Sequence, residues 1–299
     1  MEHAPSPCLV CETNAGARIL FRLPNCTVTK CFRCGFVYLN GERNPLLERR
    51  RYDWDQFQQL GYLAQFDVEP IVREQIGSLR RILRLSGASL EALDPSLPAL
   101  DVGCARGHFL RLLGQETGRS DLIGIDVSEA MTAWGRKTFG LDLRTGGIEK
   151  AELPADHFIL VTMFDVLEHV ADPRDVLRRI LRSLRPGGWV VLEVPSEVTS
   201  FRALAKMGYR LTGGRLVTPL KTIYHSMHLS YFTPSSLRKL MESVGAKAGR
   251  IVAKEAHVTR FGAGRFALPA RLGIRAVALL DKTLGTEAKL LAAFQRPVS

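Results

Sequence analysis

Leu100-Asp101-Val102-Gly103-Cys104-Ala105-Arg106-Gly107-His108-Phe109-Leu110 opens the most informative part of the chain. An apolar strand pattern ends in an acid, a turn of small residues follows, and a helical pattern begins. Gly103, Ala105 and Gly107 let the backbone approach a ligand without a side-chain collision. In open α/β sheets such a turn lies at the carboxyl ends of the strands, where ligands bind. The spacing is G-x-A-x-G with an acid two residues ahead of the first glycine, unlike the dinucleotide pattern G-x-G-x-x-G. An acid there would repel a pyrophosphate, but it suits the ammonium end of an amino-acid moiety. Asp126 ends the next strand pattern and is placed to hydrogen-bond ribose hydroxyls.

Outward from this loop, strand and helix signals alternate. Strands are expected at 99–102, 122–127, 141–145, 158–163 and 189–194, with helices at 109–116 and 128–139 between them. Asp172-Pro173 opens a further helix, and Pro186-Gly187-Gly188 is expected to terminate it. That helix carries Arg174, Arg178, Arg179, Arg182 and Arg185, expected on a solvated face opposite Val176, Leu177, Ile180, Leu181 and Leu184. Thr233-Pro234-Ser235-Ser236 caps another helix, and 251–259 and 289–295 read as the last strands. Upstream, residues 69–86 have helical periodicity. The order implies a doubly wound, Rossmann-like α/β sheet, interrupted by an irregular insertion at about 196–233.

Four of the six cysteines are paired as Cys8-Leu-Val-Cys11 and Cys31-Phe-Arg-Cys34, with 19 residues between the hooks. That spacing matches a tetrahedral four-cysteine zinc site. Four thiolates close the coordination sphere, so the Zn2+ would be structural and would supply folding energy to a small ribbon-like module. Gly35 suits a tight knuckle after the second hook; the first has Glu12 in that place. The chain therefore divides into a zinc-binding module at 1–42, a helical linker or lid at 43–97, and an α/β domain at 98–299.

Several segments resemble the ordered motifs of class I S-adenosylmethionine-dependent methyltransferases. They are Leu-Asp-Val-Gly-Cys-Ala-Arg-Gly (100–107), Ile-Gly-Ile-Asp-Val-Ser (123–128), Phe-Asp-Val-Leu-Glu-His-Val (164–170) and Leu-Arg-Pro-Gly-Gly-Trp-Val-Val-Leu-Glu-Val-Pro (184–195). The resemblance covers roughly 98–250 and implies a seven-stranded core with S-adenosyl-L-methionine as cofactor. It implies that Asp101, Gly103, Ala105 and Gly107 surround the methionine part and that Asp126 holds the ribose. Val127, Met131 and Ile148 are adenine-side candidates, and Phe164 is a further cofactor contact. With the cysteine module, Cys34-Gly-Phe-Val-Tyr-Leu-Asn (34–40) and His228-Leu-Ser-Tyr-Phe-Thr-Pro (228–234) resemble a bacterial subgroup that modifies sugars and other small hydroxylated molecules.

The residues after the fourth strand bear on the acceptor. Phe164-Asp165-Val166-Leu167-Glu168-His169 lacks the Asn/Asp-Pro-Pro-aromatic turn that handles nucleobase amines, and it has no nucleophilic cysteine. His169 and Glu168 instead suit proton removal from a hydroxyl. Tyr224-His225-Ser226-Met227-His228 ends the insertion, and His228 is the first candidate for the general base, with His169 next. A metal pair of His225 and His228 lacks obvious carboxylate partners. The expected activity is O-methylation of a sugar or similar small metabolite. RNA methylation and a non-catalytic cofactor-binding scaffold are the alternatives.

The net charge of +11 favours anionic partners. In the insertion, Arg202, Lys206 and Arg210 alternate with Phe201, Leu204, Met207 and Leu211 at helical spacing. That pattern fits contact with a nucleotide-linked or lipid-linked sugar, or a peripheral membrane contact. No apolar run approaches the ~18 residues of a membrane span and no signal pattern opens the chain, so a cytoplasmic location is expected.

Overall fold

The computed structural model describes residues 7–23, 26–40, 68–224, 228–255, 277 and 279–298. The linker at 43–66 and His225 lie outside the described residues.

Three strands come first: β1 (Ala17–Leu23), β2 (Cys26–Cys31) and β3 (Val37–Asn40). Helix α1 (Glu69–Leu85) then leads into β4 (Ala99–Val102), α2 (His108–Thr117), β5 (Leu122–Asp126), α3 (Glu129–Phe139), β6 (Asp142–Thr145) and β7 (Phe158–Phe164). A single 3-10 turn at Leu167–His169 precedes α4 (Pro173–Ser183) and β8 (Leu184–Pro195). The insertion contains α5 (Ser200–Leu211), α6 (Thr218–Ile223) and β9 (Ser230–Tyr231), followed by α7 (Pro234–Ser243), β10 (Lys247–Lys254) and β11 (Lys289–Gln295).

The main sheet has seven strands in the order β10-β11-β8-β7-β4-β5-β6. β4 pairs in parallel with β5 on one side and β7 on the other, so the strand order reverses at β4. The turn after β4 therefore lies at the switch point where ligands bind in such sheets. β11 runs antiparallel to both β8 and β10, and β10 forms the edge on that side of the sheet.

Sequence dictates most of this. On α4, Val176, Leu177, Ile180 and Leu181 are buried along one face, and the Asp172 side chain accepts the N–H groups of Arg174 and Asp175. Each such buried aliphatic side chain contributes roughly 1.5–3 kcal/mol. Two expectations need correction. β8 begins at Leu184 and runs through Pro186-Gly187-Gly188, because Phe158 pairs with Leu184 before the register shifts to Leu160 opposite Trp189. Arg174 is buried rather than solvated: its guanidinium donates to the carbonyls of Val10 (2.5 Å) and Leu9 (3.4 Å).

That contact belongs to a larger junction. β1, β2 and β3 form a second sheet whose fourth strand is β9, from the insertion. Val37 pairs with Tyr231 and Tyr38 with Ser230, and the Phe36 and Phe232 rings meet at 5.2 Å. The Ser235 hydroxyl donates to the Cys34 carbonyl. The cysteine-bearing module and the insertion thus share one sheet.

Candidate functional site

The backbone after β4 adopts three left-handed conformations in succession, at Gly103 (φ 78°), Ala105 (φ 47°) and Gly107 (φ 77°). At Gly103 a Cβ would lie 2.3 Å from Val166 Cγ2, so glycine is required both by the φ angle and by close approach. Asp126 fastens this turn: one carboxylate oxygen accepts Ala105 N–H at 2.9 Å and the other accepts Ser128 N–H at 2.8 Å. A carboxylate has about four acceptor positions, so capacity remains for ligand hydroxyls. Burial raises the Asp126 pKa, and the two backbone donors oppose that shift.

Asp101 is buried and accepts the Thr162 hydroxyl at 2.6 Å. Burial pushes its pKa up to about 7, opposed by the Thr162 donor and reinforced by the nearby Asp126 charge. Such a carboxyl ionises more readily once a cation arrives beside it. Val127 is exposed beside the loop, and Met131 and Ile148 are buried. Phe164 packs edge-to-face on Phe109, with centroids 5.2 Å apart, and so joins the core beneath the turn. Sequence reasoning missed Thr162, Val166 and Gly135. A Cβ on Gly135 would sit 2.4 Å from the Arg106 carbonyl oxygen, so α3 presses directly on the loop. A glycine inside an otherwise helical pattern was the available signal.

At the end of β7 the chain turns through Asp165, itself left-handed (φ 58°). Asp165 is held by Lys289 at 2.6 Å, and Lys289 also pairs with Glu193 at 2.5 Å. Lys254 pairs with Glu193 and bonds Glu74 at 2.7 Å, which completes a chain of buried and half-buried charges across β8, β10 and β11. These pairs are far apart in sequence, and no local signal announces them.

This turn carries Glu168 and His169, and the end of the insertion brings His228 against them. The two imidazole rings meet edge-to-face with centroids 4.8 Å apart. His228 Nε2 lies 4.0 Å from Glu168 Oε1. Glu168 is fully buried, and neither of its oxygens has a hydrogen-bond partner among the described residues. Burial, with the Asp165 charge adding to it, pushes its pKa well above the ordinary carboxylate range. The Glu168 carbonyl accepts Leu229 N–H at 2.7 Å, which fixes His228 above the turn. The ligand atoms of all three residues lie within 4.8 Å of one another. Both sequence-nominated histidines therefore meet in one cluster.

At the other end of the second sheet, Cys8, Cys11, Cys31 and Cys34 converge, also within 4.8 Å. Cys8 Sγ is 3.6 Å from Cys34 Sγ, and Cys11 Sγ is 4.0 Å from Cys31 Sγ. A Zn–S bond of roughly 2.3 Å gives a tetrahedral S–S edge of about 3.8 Å, between these two values. None of the four is in a disulfide. The knuckles match each other: Glu12 N–H donates to the Cys8 carbonyl and Gly35 N–H to that of Cys31. Glu12 (φ 55°) and Gly35 (φ 82°) occupy the same left-handed position. The donor set and its dimensions fit one thiolate-bound divalent ion.

A family model described as a methyltransferase domain matches residues 72–248. A ubiquinone biosynthesis O-methyltransferase from Hahella chejuensis is 34% identical over 113 residues, 35% of this chain and 46% of that protein. A demethylmenaquinone methyltransferase from Lysinibacillus sphaericus is 32% identical over 126 residues, 40% of this chain and 54% of that protein. The chain spans about half the length of these curated relatives. Among solved structures, a SAM-dependent methyltransferase from Archaeoglobus fulgidus superposes with a TM-score of 0.53 at 16% identity. That match covers 81% of this chain and 100% of the other, and at this identity it speaks for the fold.

Proposed function

The chain belongs to the methyltransferase-domain family, and on that premise we propose that it methylates a hydroxyl group of a small metabolite, using S-adenosyl-L-methionine. The observation that carries this reading is the meeting of His169 and His228 over buried Glu168 at the end of β7. The cofactor supplies an electrophilic methyl group. What the protein must add is alignment of the acceptor and removal of one proton as the carbon–oxygen bond forms. His228 is assigned as the base that takes the acceptor proton. His169 packs its ring against that imidazole, and Glu168 faces the pair from the buried side. An imidazole nitrogen can accept a proton in such a position.

In this reading Asp101 faces the cofactor's ammonium group, Asp126 accepts from its ribose, and Gly103, Ala105 and Gly107 form the wall between them. Val127, Met131 and Ile148 border the adenine, while Phe164 supports the turn from the core. The four cysteines hold one structural Zn2+. A sugar or comparable hydroxylated metabolite remains the proposed acceptor class, and an O-methyltransferase among the relatives supports a hydroxyl acceptor.

Incubation with methyl-labelled S-adenosylmethionine and fractionated cell extract tests the proposal. Label should enter a small molecule as an ether stable to mild base. Label found in RNA, or tight cofactor binding with no labelled product from any fraction, would overturn it.

A further inference from the structure

Helix α5 is amphipathic the wrong way round for a helix packed on a water-soluble core. Its inward face carries Arg202, which is only 9% exposed, with Ala205, Lys206 and Tyr209. Glu197, buried below, pairs with Arg202 (3.6 Å) and Lys206 and accepts the Tyr224 hydroxyl at 2.8 Å. The Arg202 guanidinium lies 4.6 Å from the Tyr231 ring centroid. Two of the three basic residues that the sequence pattern assigned to an outside partner are therefore engaged internally.

The outward face is apolar. Phe201 (46% exposed), Leu204 (47%), Met207 (51%) and Leu211 (79%) recur at steps of three and four along it. Ser200 N–H donates to Asp281 at 2.6 Å, which places Asp281 at the start of α5; Leu280 and Leu284, close to it in sequence, are also exposed. A contiguous outward apolar stripe of this kind marks an interaction surface.

Charge identifies the occupant. From Val198 to Tyr224 the charged residues are Arg202, Lys206, Arg210, Arg215 and Lys221, with no acid among them. Arg210, Arg215 and Lys221 are exposed around the apolar stripe. An apolar stripe edged by cations fits a sheet of apolar chains under anionic headgroups. Among the described residues no helix is long and apolar enough to cross a membrane, so the contact is one that lies on the surface. We propose that α5 and its flanking loop dock this protein on an anionic phospholipid bilayer. The proposal stands apart from methyl transfer, since neither cofactor nor acceptor enters it.

Sedimentation of the full chain with vesicles tests it, comparing phosphatidylcholine alone with phosphatidylcholine containing phosphatidylglycerol. Binding should require the anionic lipid and fall with added salt. Leu204→Gln/Leu211→Gln should cut the partition coefficient by on the order of tenfold or more. Both side chains lie on the exposed face (47% and 79%), so thermal melting should be unchanged. Arg210→Glu/Arg215→Glu should abolish the preference for anionic vesicles. Wild-type protein that stays in the supernatant would overturn the proposal. So would a double-leucine variant that binds as well as wild type, or a dimer formed without vesicles that this variant dissolves.

Discussion

The carboxylate of Asp126 accepts the backbone N–H of Ala105 at 2.9 Å, so the acid ending β5 and the turn after β4 form one unit. An acid assigned from sequence to the ligand alone also shapes the loop around it. Asp126→Ala should weaken S-adenosylhomocysteine binding by roughly 10- to 100-fold, the worth of one or two charge-assisted hydrogen bonds. It should also lower the melting temperature of the ligand-free protein. Calorimetric affinity equal to wild type would remove Asp126 from the cofactor site.

Asp101 gives the site a pH dependence. Its pKa rises from an ordinary 3.8 to about 7 on folding, so between those values the folded protein holds more protons than the unfolded chain. Stability linked to Asp101 is present below about pH 4 and is lost as the pH rises to about 7. A cationic ligand beside Asp101 favours its ionised form, so cofactor binding should release protons in this window. Affinity should increase from pH 5 to pH 7 and then level off. Asp101→Asn should bind more weakly with a flat profile; an unchanged slope in that variant would refute the assignment.

Gly135→Ala reverses a familiar sign. In a helix interior this change usually stabilises by about 1 kcal/mol. Here the new methyl would meet the Arg106 carbonyl oxygen at 2.4 Å, and that oxygen belongs to backbone. The variant should melt at a lower temperature and bind cofactor less tightly. A raised melting temperature would mean that α3 does not press on the loop.

The cysteine module should copurify with about one zinc per chain, and Cys31→Ser should lower the metal content. Because β9 completes the module's sheet, its effects should reach beyond the first forty residues. Amide exchange should accelerate at residues 228–232 as well as in β1–β3, while β4, β7 and β8 stay protected. Acceleration confined to the module would contradict the coupling.

The strands and helices of the core were legible because their apolar periods are local. β11 was expected at 289–295, and the structure has it at Lys289–Gln295. The turn after β4 was legible as a turn because its small residues, Gly103, Ala105 and Gly107, lie close together in sequence, and all three adopt left-handed backbone. What stayed hidden depends on contacts between distant segments. Lys289 gives no local sign that it holds Asp165, nor Arg174 that it anchors Val10. The α5 pattern was recognised as amphipathic, but the side facing the core could not be read without Glu197 beneath it. Helical spacing identifies a polar and an apolar face; only the partner decides which is buried. His169 and His228 were nominated separately, and what joins them is the long-range bond from Leu229 N–H to the Glu168 carbonyl.

That meeting is the centre of the account, and turnover of His228→Gln on the labelled acceptor tests it most directly. If His228 takes the acceptor proton, the methyl-transfer rate should fall by ~10²–10⁴-fold, with S-adenosylhomocysteine affinity within about twofold of wild type because the Asp101 and Asp126 loop is untouched. A His228→Gln enzyme that transfers methyl at a near-normal rate would contradict the account, removing His228 from the mechanism and leaving His169 as the next residue to test.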